Sequence, residues 1–448
     1  MHTSAYILQQ TIRNIGTRGM SWLGTPAALT ATVAANMLSA TGQKAQAAAL
    51  LMKTHSAGLS RTVDRRILAR LSNAVALERQ GHLTGLRDLS SRTISAALTS
   101  LSDSPNPDPR RLIGTRLLAI KSPRPGERGV IVADYNYIFP LLAGLFDLRA
   151  IVERYFLVLE PGWNGYCSPD ILLFSHLPGP VFVETIEPRD RDVLIAFGDP
   201  YRPAHPLSTN SWVDYRHSVT VSAERRDIDV IMVAAWARYK NHWEFFRAIS
   251  ELRRRGRRLN VTLVGYPVDL TRHDILPLAR HYGIDDQITI HERVSQKRVA
   301  ELLARSRLHV LWSNREGSNR AIIEAMFAGV PTILKDGFNY GYHYPHINPQ
   351  TGRYVPEHQL ADAIEETLGG LGAFSPREWA LDNVTCQHAT ARLEAVVRDE
   401  AVRLGEPWTT GLAVRVSTLD TQDYWDPAAR SRFDEDHAFL ESVLLPRR

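Results

Sequence analysis

The chain has 448 residues, 44% of them hydrophobic and 23% charged, with a formal net charge of +5. That composition excludes the disordered and collagen-like classes, and the length asks for roughly two to three domains. Cys167 and Cys386 are the only cysteines, too few for a disulfide framework or a C-x-x-C metal or redox site; such usage suits a reducing cytosol, so a cytoplasmic location is expected.

The chain begins without acids: Arg13, Arg18, Lys44, Lys53 and Arg61 all precede Asp64. An Ala-rich helical domain explains this better than a targeting signal, because Leu23 to Ala35 alternates with Thr and Pro instead of forming a compact apolar run. A basic surface of this kind also suits peripheral contact with anionic lipid at the inner face of a membrane. The uncharged stretch Gly19 to Gln43 is too diluted with Thr, Ser, Asn, Gln and Gly to make a bilayer helix. Helices are predicted at Ala34 to Met52, Val63 to Arg79 and Leu86 to Leu101, broken by Gly42, Gly58 and Gly81, so residues 1–104 read as a helical extension.

The Pro-rich stretch Asp103 to Arg110 reads as a linker into a second domain, residues 105–220. Short apolar runs at Gly129 to Asp134, Phe156 to Glu160, Ile171 to Phe174, Val181 to Glu184 and Val193 to Phe197, with a helix-like piece at Tyr137 to Val152, predict a small α/β sheet buried on both faces. In residues 221–370 the pattern is the most regular. Strands are predicted at Ile228 to Ala234, Leu259 to Val264, Gln287 to His291, Leu308 to Trp312 and Pro331 to Leu334. Helices follow at Asn241 to Arg255, Thr271 to Tyr282, Ser295 to Arg305, Asn319 to Ala328 and Glu357 to Leu368. Asn241 with Glu244 three residues on is a capping-box-like start. Alternating strands and amphipathic helices call for a doubly wound parallel sheet, whose ligands sit at the C-terminal strand ends. Residues 371–448 read as helices, at Phe374 to Arg403 and again within the segment from Thr421 to Leu445.

The chemistry concentrates in Ser313 to Pro331, "SNREGSNRAIIEAMFAGVP". Glu316 follows a strand, Glu324 lies in the next helix, and seven residues separate them. Gly317 lets backbone approach an anion, Ser318 or Asn319 supplies a cap, and the helix start offers free N–H groups. A Glu within an apolar helix start pays a desolvation cost unless it binds something.

This segment resembles the donor-site signature of the retaining glycosyltransferases of family 4: a Glu, seven residues, then Glu-Ala-Met-Ala-x-Gly-x-Pro, here Glu316 followed by Glu324-Ala325-Met326-Phe327-Ala328-Gly329-Val330-Pro331. "VTLVGYPVD" around Gly265 and the order of elements from Ile228 to about Leu368 are similar to that family as well. The resemblance implies a GT-B fold, α/β with two Rossmann-like domains whose parallel sheets face across a cleft, residues 371–448 packing back across it. It implies a retaining, metal-independent transfer of a hexosyl group from a UDP or GDP sugar to a glycan, lipid-linked or other hydroxyl acceptor, with no covalently bound cofactor. Carried over residue by residue, Glu316 holds hydroxyls of the transferred sugar and Glu324 the ribose, while Gly317, Ser318 and Asn319 lie near the diphosphate. Lys240 in "ARYKNHWE" neutralises the leaving phosphate, and Gly265 ends a donor-side strand. The family arginine five residues before that lysine is replaced by Ala235, with Arg238 as the nearby substitute. The Gly-rich loop of the first domain is absent, "VADYNYIFP" standing in its place, so the acceptor-side candidates are Asn136, Trp163 and His176.

Three other readings compete with this one. The run Arg253 to Arg258 complements a helix C-terminus and lacks interleaved aromatics, so a nucleic-acid partner is not expected. Ala235 and the missing Gly-rich loop motivate an alternative, a catalytically silent GT-B scaffold or nucleotide-sugar-binding protein. A dinucleotide oxidoreductase is disfavoured because no G-x-G-x-x-G follows any predicted strand.

Overall fold

The computed structural model describes residues 21–56, 66–73, 75, 108–162, 169–337, 342–418 and 421–446. Arg13, Arg18, Arg61, Trp163, Cys167, the predicted helix from Leu86 to Leu101 and most of the linker lie outside the described residues. The described residues divide into two compact units, one from residue 21 to Trp212 together with the chain from Cys386 onward, the other Val213–Thr385.

In the first unit, helices α1 (Ser21–Ala40) and α2 (Lys44–Ser56) turn at Gly42, whose φ of 81° is one that L side chains rarely adopt. Residues 66–73 are also helical, and Ser72 Oγ donates to the Ala196 carbonyl at 2.6 Å, so this stretch packs on the α/β part of the unit. That part contains β1 (Leu117–Lys121), β2 (Gly129–Asp134), α3 (Ile138–Leu145), α4 (Leu148–Arg154), β3 (Tyr155–Glu160), β4 (Val181–Glu184), α5 (Pro188–Phe197) and β5 (Tyr201–Ala204). The strands pair in chain order, β1 antiparallel to β2 and the rest parallel. Every residue of β2, β3 and β4 is buried, as parallel strands covered on both faces require.

Three expectations change here. The single helix predicted from Tyr137 to Val152 is two, because Asp147 caps α4 by accepting from the Arg149 and Ala150 amides. The run Val193 to Phe197 is the end of helix α5, not a strand: Pro188 starts it, and Gly198 at φ 66° stops it. Ile171 to Phe174 lies in a 3₁₀ helix, Pro169–Phe174. An apolar run of four or five residues fits a buried helix face as well as a strand, and the flanking punctuation decides.

In the second unit β6 (Ile228–Val233), α6 (His242–Arg254), β7 (Val261–Gly265), α7 (Arg272–His281), β8 (Ile288–Glu292), α8 (Gln296–Ala304), β9 (Ser306–Leu311), α9 (Arg320–Phe327) and β10 (Thr332–Lys335) follow the predicted alternation closely. A sixth strand, β11 (Gly352–Val355), precedes α10 (Leu360–Gly369) and α11 (Pro376–Asn383). The sheet runs β11-β10-β9-β6-β7-β8, all parallel. It is the doubly wound order, with the winding reversing between β6 and β9. Four of the five arginines in Arg253 to Arg258 are engaged structurally: Arg253 and Arg258 pair with Asp286, Arg255 with Glu251 and Asp362, and Arg257 with Glu365.

The chain then rejoins the first unit through α12 (Cys386–Arg403), β12 (Arg415–Ser417), β13 (Gln422–Tyr424) and α13 (Asp434–Ser442). Helix thus resumes after a break at Val384 and Thr385, and the expected terminal helix is preceded by a β-hairpin. Tyr424 Oη donates to the Ala119 carbonyl and Tyr155 Oη to Asp436, each at 2.6 Å. Arg415 lies fully buried on the Trp212 ring, 3.7 Å from its centroid, and pairs with Glu160 at 2.5 Å and Glu184 at 2.8 Å. Among the described residues no helix is long and apolar enough to cross a membrane.

Candidate functional site

The reversal between β6 and β9 sends their following loops to opposite faces and opens a crevice at their carboxyl ends, the general ligand position of such sheets. Lys240 closes the 3₁₀ turn Arg238–Lys240 after β6, and Glu316 sits in the loop after β9. Their side chains meet in a direct ion pair, Lys240 Nζ donating to Glu316 Oε1, and the same oxygen accepts from Ser313 Oγ. The two side chains are only 6% and 8% exposed, so each supplies the counter-charge that the other's burial demands.

A buried polar network stands behind the pair. Asn241, next to Lys240, has φ 50° and ψ 42° and makes no side-chain cap bond, so the predicted capping box is not formed. Its Nδ2 instead donates to the Trp312 carbonyl at 3.1 Å and to Asn314 Oδ1 at 2.8 Å. Glu244, the expected second half of the box, accepts from Trp312 Nε1 at 2.7 Å and from Lys335 Nζ at 2.5 Å. Lys335 also donates to Asn314 Oδ1 at 3.2 Å. A capping box does form one helix later, between Thr271 and Asp274. The signal for the network was visible as polar residues ending apolar strands, Ser313 and Asn314 after β9 and Lys335 closing β10, yet nothing in their spacing says that they meet.

Glu324 lies on α9 with different partners: Arg320 Nε is 3.7 Å from its Oε1, and the Gln296 side chain donates to it. Burial raises its pKa, against the opposing pull of Arg320 and Gln296. Asn319 occupies the N-cap position of α9 without making a cap bond, and its buried Oδ1 has no hydrogen-bond partner. Asn319 therefore does not cap the first N–H groups of α9. Gly317 is anchored through its carbonyl, which accepts from buried Tyr344 Oη at 3.2 Å, and Ser318 continues the same loop.

Arg238 is held by Asp269, whose carboxylate accepts from its backbone N–H at 2.9 Å and lies 3.6 Å from its Nε. Gly265 ends β7 under the Trp236 indole; a Cβ there would stand 2.2 Å from the Ala234 carbonyl oxygen and 2.7 Å from Trp236 Nε1. Its missing side chain is thus required by packing.

In the other unit Asn136 follows β2 and is buried; its Oδ1 accepts from the Gly162 amide after β3 at 2.9 Å, joining two C-terminal strand ends. His176 lies between the 3₁₀ helix Pro169–Phe174 and β4. Its neighbour Ser175 bonds the Tyr201 hydroxyl of β5, and Phe174 packs edge-on against Phe139 of α3. Burial raises the nearby Asp134 carboxyl to about 7 despite its 3.0 Å pair with Arg116.

Residues 219–369 match the family model described as Glycosyl transferases group 1. That match lies within the second sheet's part of the chain, and the two α/β sheets agree with the GT-B fold class expected from the sequence. Among solved structures, the chain is similar to sucrose-phosphate synthase from Thermosynechococcus elongatus, at 17% identity over 61% of this chain and 74% of that one, TM-score 0.47. It is also similar to the C-terminal domain of a glycosyl transferase group 1 family protein from Francisella tularensis, at 15% identity over 39% of this chain and 98% of that one, TM-score 0.34. A third similar structure is Anabaena HepE in complex with UDP and glucose, at 13% identity over 60% of this chain and 77% of that one, TM-score 0.44. No curated protein matches the chain.

Proposed function

We propose that this chain is a glycosyltransferase that moves a sugar from a nucleotide-diphosphate sugar, of UDP or GDP type, to a hydroxyl of a carbohydrate or lipid-linked acceptor. The observation that carries the reading is the meeting of Lys240 and Glu316 at the switch point of a sheet whose residues match a glycosyltransferase family. Breaking the bond between the anomeric carbon and the diphosphate builds negative charge on the leaving oxygen. A buried ammonium and the N-terminal mouth of α9 lower the energy of that charge more than that of the bound donor. Lys240 takes this role, with Arg238 beside it.

Glu316 accepts from hydroxyls of the transferred sugar and Glu324 from those of the ribose, while the amides of Gly317, Ser318 and Asn319 face the diphosphate. The acceptor oxygen bonds to the anomeric carbon on the face that the nucleotide leaves, and its proton passes to the departing diphosphate; configuration is retained and no metal ion takes part. Contact with the acceptor falls to Asn136, with Trp163 and His176 as the other candidates. A lipid-linked acceptor would fit the basic N-terminal stretch, which co-sedimentation with anionic vesicles would test.

The experiment is a thermal-shift screen of UDP and GDP sugars, because a specific donor stabilises the folded chain by mass action, followed by assay of nucleotide release with and without an acceptor and a chelator. One donor should raise the melting temperature and be consumed with chelator present, and Glu316→Ala and Lys240→Ala should abolish consumption. Binding without turnover would instead establish the silent scaffold, and neither binding nor turnover would remove the reading altogether.

A further inference from the structure

We infer that Asn241 and Asn314 are positioning residues: their paired amides fix the separation of the two loops that carry Lys240 and Glu316, and Lys335 anchors the pair to a third strand. The assignment of a catalytic consequence rests on the donor-site reading above; the mechanical coupling does not.

The geometry has three parts. Asn241 directly follows Lys240, and Asn314 lies two residues before Glu316, so each amide sits at the base of one functional side chain. Between the loops run a backbone bond, Asn314 N–H to the Tyr239 carbonyl at 2.9 Å, and a side-chain bond, Asn241 Nδ2 to Asn314 Oδ1 at 2.8 Å. Asn241 Nδ2 also reaches the Trp312 carbonyl, and Lys335 Nζ reaches Asn314 Oδ1 at 3.2 Å while pairing with Glu244 on α6. The chain after β6 and the chain after β9 are thereby tied to each other and to the end of β10.

Residue choice supports a positioning role. A non-glycine residue at φ 50° is uncommon, and Asn is among the few that tolerate it. That conformation turns the Asn241 side chain away from the helix start, where it would ordinarily cap, and toward β9. Asn241 is 1% exposed and Lys335 2% exposed, so both act in a water-excluded place where an unmet amide or ammonium is costly. A rigid link of this kind matters to group transfer because a misplacement of about 1 Å costs up to about 100-fold in rate.

The test uses the full chain and two readouts. Hydrogen exchange needs no substrate: in Asn314→Ala, and separately in Asn241→Gly, which keeps the backbone conformation accessible, amides of 238–241 and of 314–317 should both exchange faster. Loosening confined to the substituted loop would overturn the coupling. In the donor-turnover assay Asn314→Ala should lower kcat by roughly ten- to a hundred-fold with little change in donor KM. Asn314→Asp, which keeps an acceptor for Asn241 and Lys335, should recover most of that loss. Equal kcat in Ala and wild type, or equal losses in Ala and Asp, would overturn the positioning role. A wild-type chain without donor turnover would defeat the glycosyltransferase reading and leave the exchange result to decide the coupling.

Discussion

Lys240 and Glu316 lie on loops after two adjacent strands, 76 residues apart in the chain, and form a largely buried ion pair. Removing one partner of such a pair strands the other, at a cost of about 3–5 kcal/mol, whereas removing both can be nearly neutral. Lys240→Met and Glu316→Gln should therefore each lower stability by roughly that amount, and the double variant should recover most of the loss. Equilibrium denaturation read from the Val213–Thr385 unit checks this, and additive losses would contradict the pair.

Glu324 makes a separate prediction. If its carboxylate accepts from ribose hydroxyls, Glu324→Gln should weaken binding of the nucleoside diphosphate by about 10- to 100-fold, the worth of roughly 1.5–3 kcal/mol for a hydrogen bond to a charged group. A deoxyribose analogue should bind the wild type more weakly and lose less on the substitution. Calorimetric titration measures both, and an unchanged ratio would detach Glu324 from the ribose.

The legible part of the molecule was what strict periodicity encodes. From Ile228 to Leu368 the alternation of apolar strands with amphipathic helices left one architecture, and the donor motif fell on its strand ends. The first unit was harder, because its short apolar runs suit a buried helix as well as a strand; Val193 to Phe197 is buried on one helix face only, with Ile195 59% exposed. Asn241 was visible as polar punctuation but not as a link to Asn314, since a bond across 73 positions leaves no trace in local spacing. Arg415 likewise had no sequence signal, its partners Glu160, Glu184, Trp212 and Gln422 lying on other elements.

Gly265→Ala should destabilise the second unit without touching any charge. The added carbon would meet the Ala234 carbonyl oxygen at 2.2 Å, and backbone cannot swing aside as a flexible side chain does. Overpacking of this type costs about 1–3 kcal/mol. Chemical denaturation should show the midpoint lowered; an unaffected midpoint would mean that β7 and Trp236 separate easily.

Arg415 joins Glu160 and Glu184 to the C-terminal hairpin, so Arg415→Met leaves two buried carboxylates facing each other. The loss should depend on pH. Burial, with Glu160 nearby and Arg415 opposing, raises the Glu184 carboxyl to about 8, above its ordinary 4.5. For an acid whose folded pKa is raised, the folded state holds the extra proton; its stabilisation is complete below about 4.5 and disappears as pH climbs through 8. Removing the guanidinium raises that pKa further, so Arg415→Met should be more damaging at pH 8 than at pH 5. Melting curves at both values decide, and a pH-independent loss would show that the carboxylates carry no charge in either case.

The second unit should respond to pH in the opposite direction. His242, His309 and His346 are buried, and loss of hydration lowers them to about 3, 3 and 4, with Lys240 also lowering His242. In the unfolded chain each returns to about 6.5. For a base whose folded pKa is lowered, the unfolded state binds the additional proton. Stability is then intact above about 6.5 and is lost as pH falls toward 4. Three such groups steepen the loss to roughly 4 kcal/mol per pH unit once the unfolded histidines are fully protonated. As pH falls from 6.5 to 5, above the range where ordinary carboxylates titrate, the uptake due to these three histidines should rise from about one and a half to close to three protons, measurable from the pH dependence of exchange protection in β9. His346→Phe keeps an aromatic ring beside Tyr344, on which the imidazole stacks at 5.0 Å, and should reduce the uptake by one. An unchanged uptake would mean that His346 is already charged in the folded chain, and its burial would then need a counter-ion.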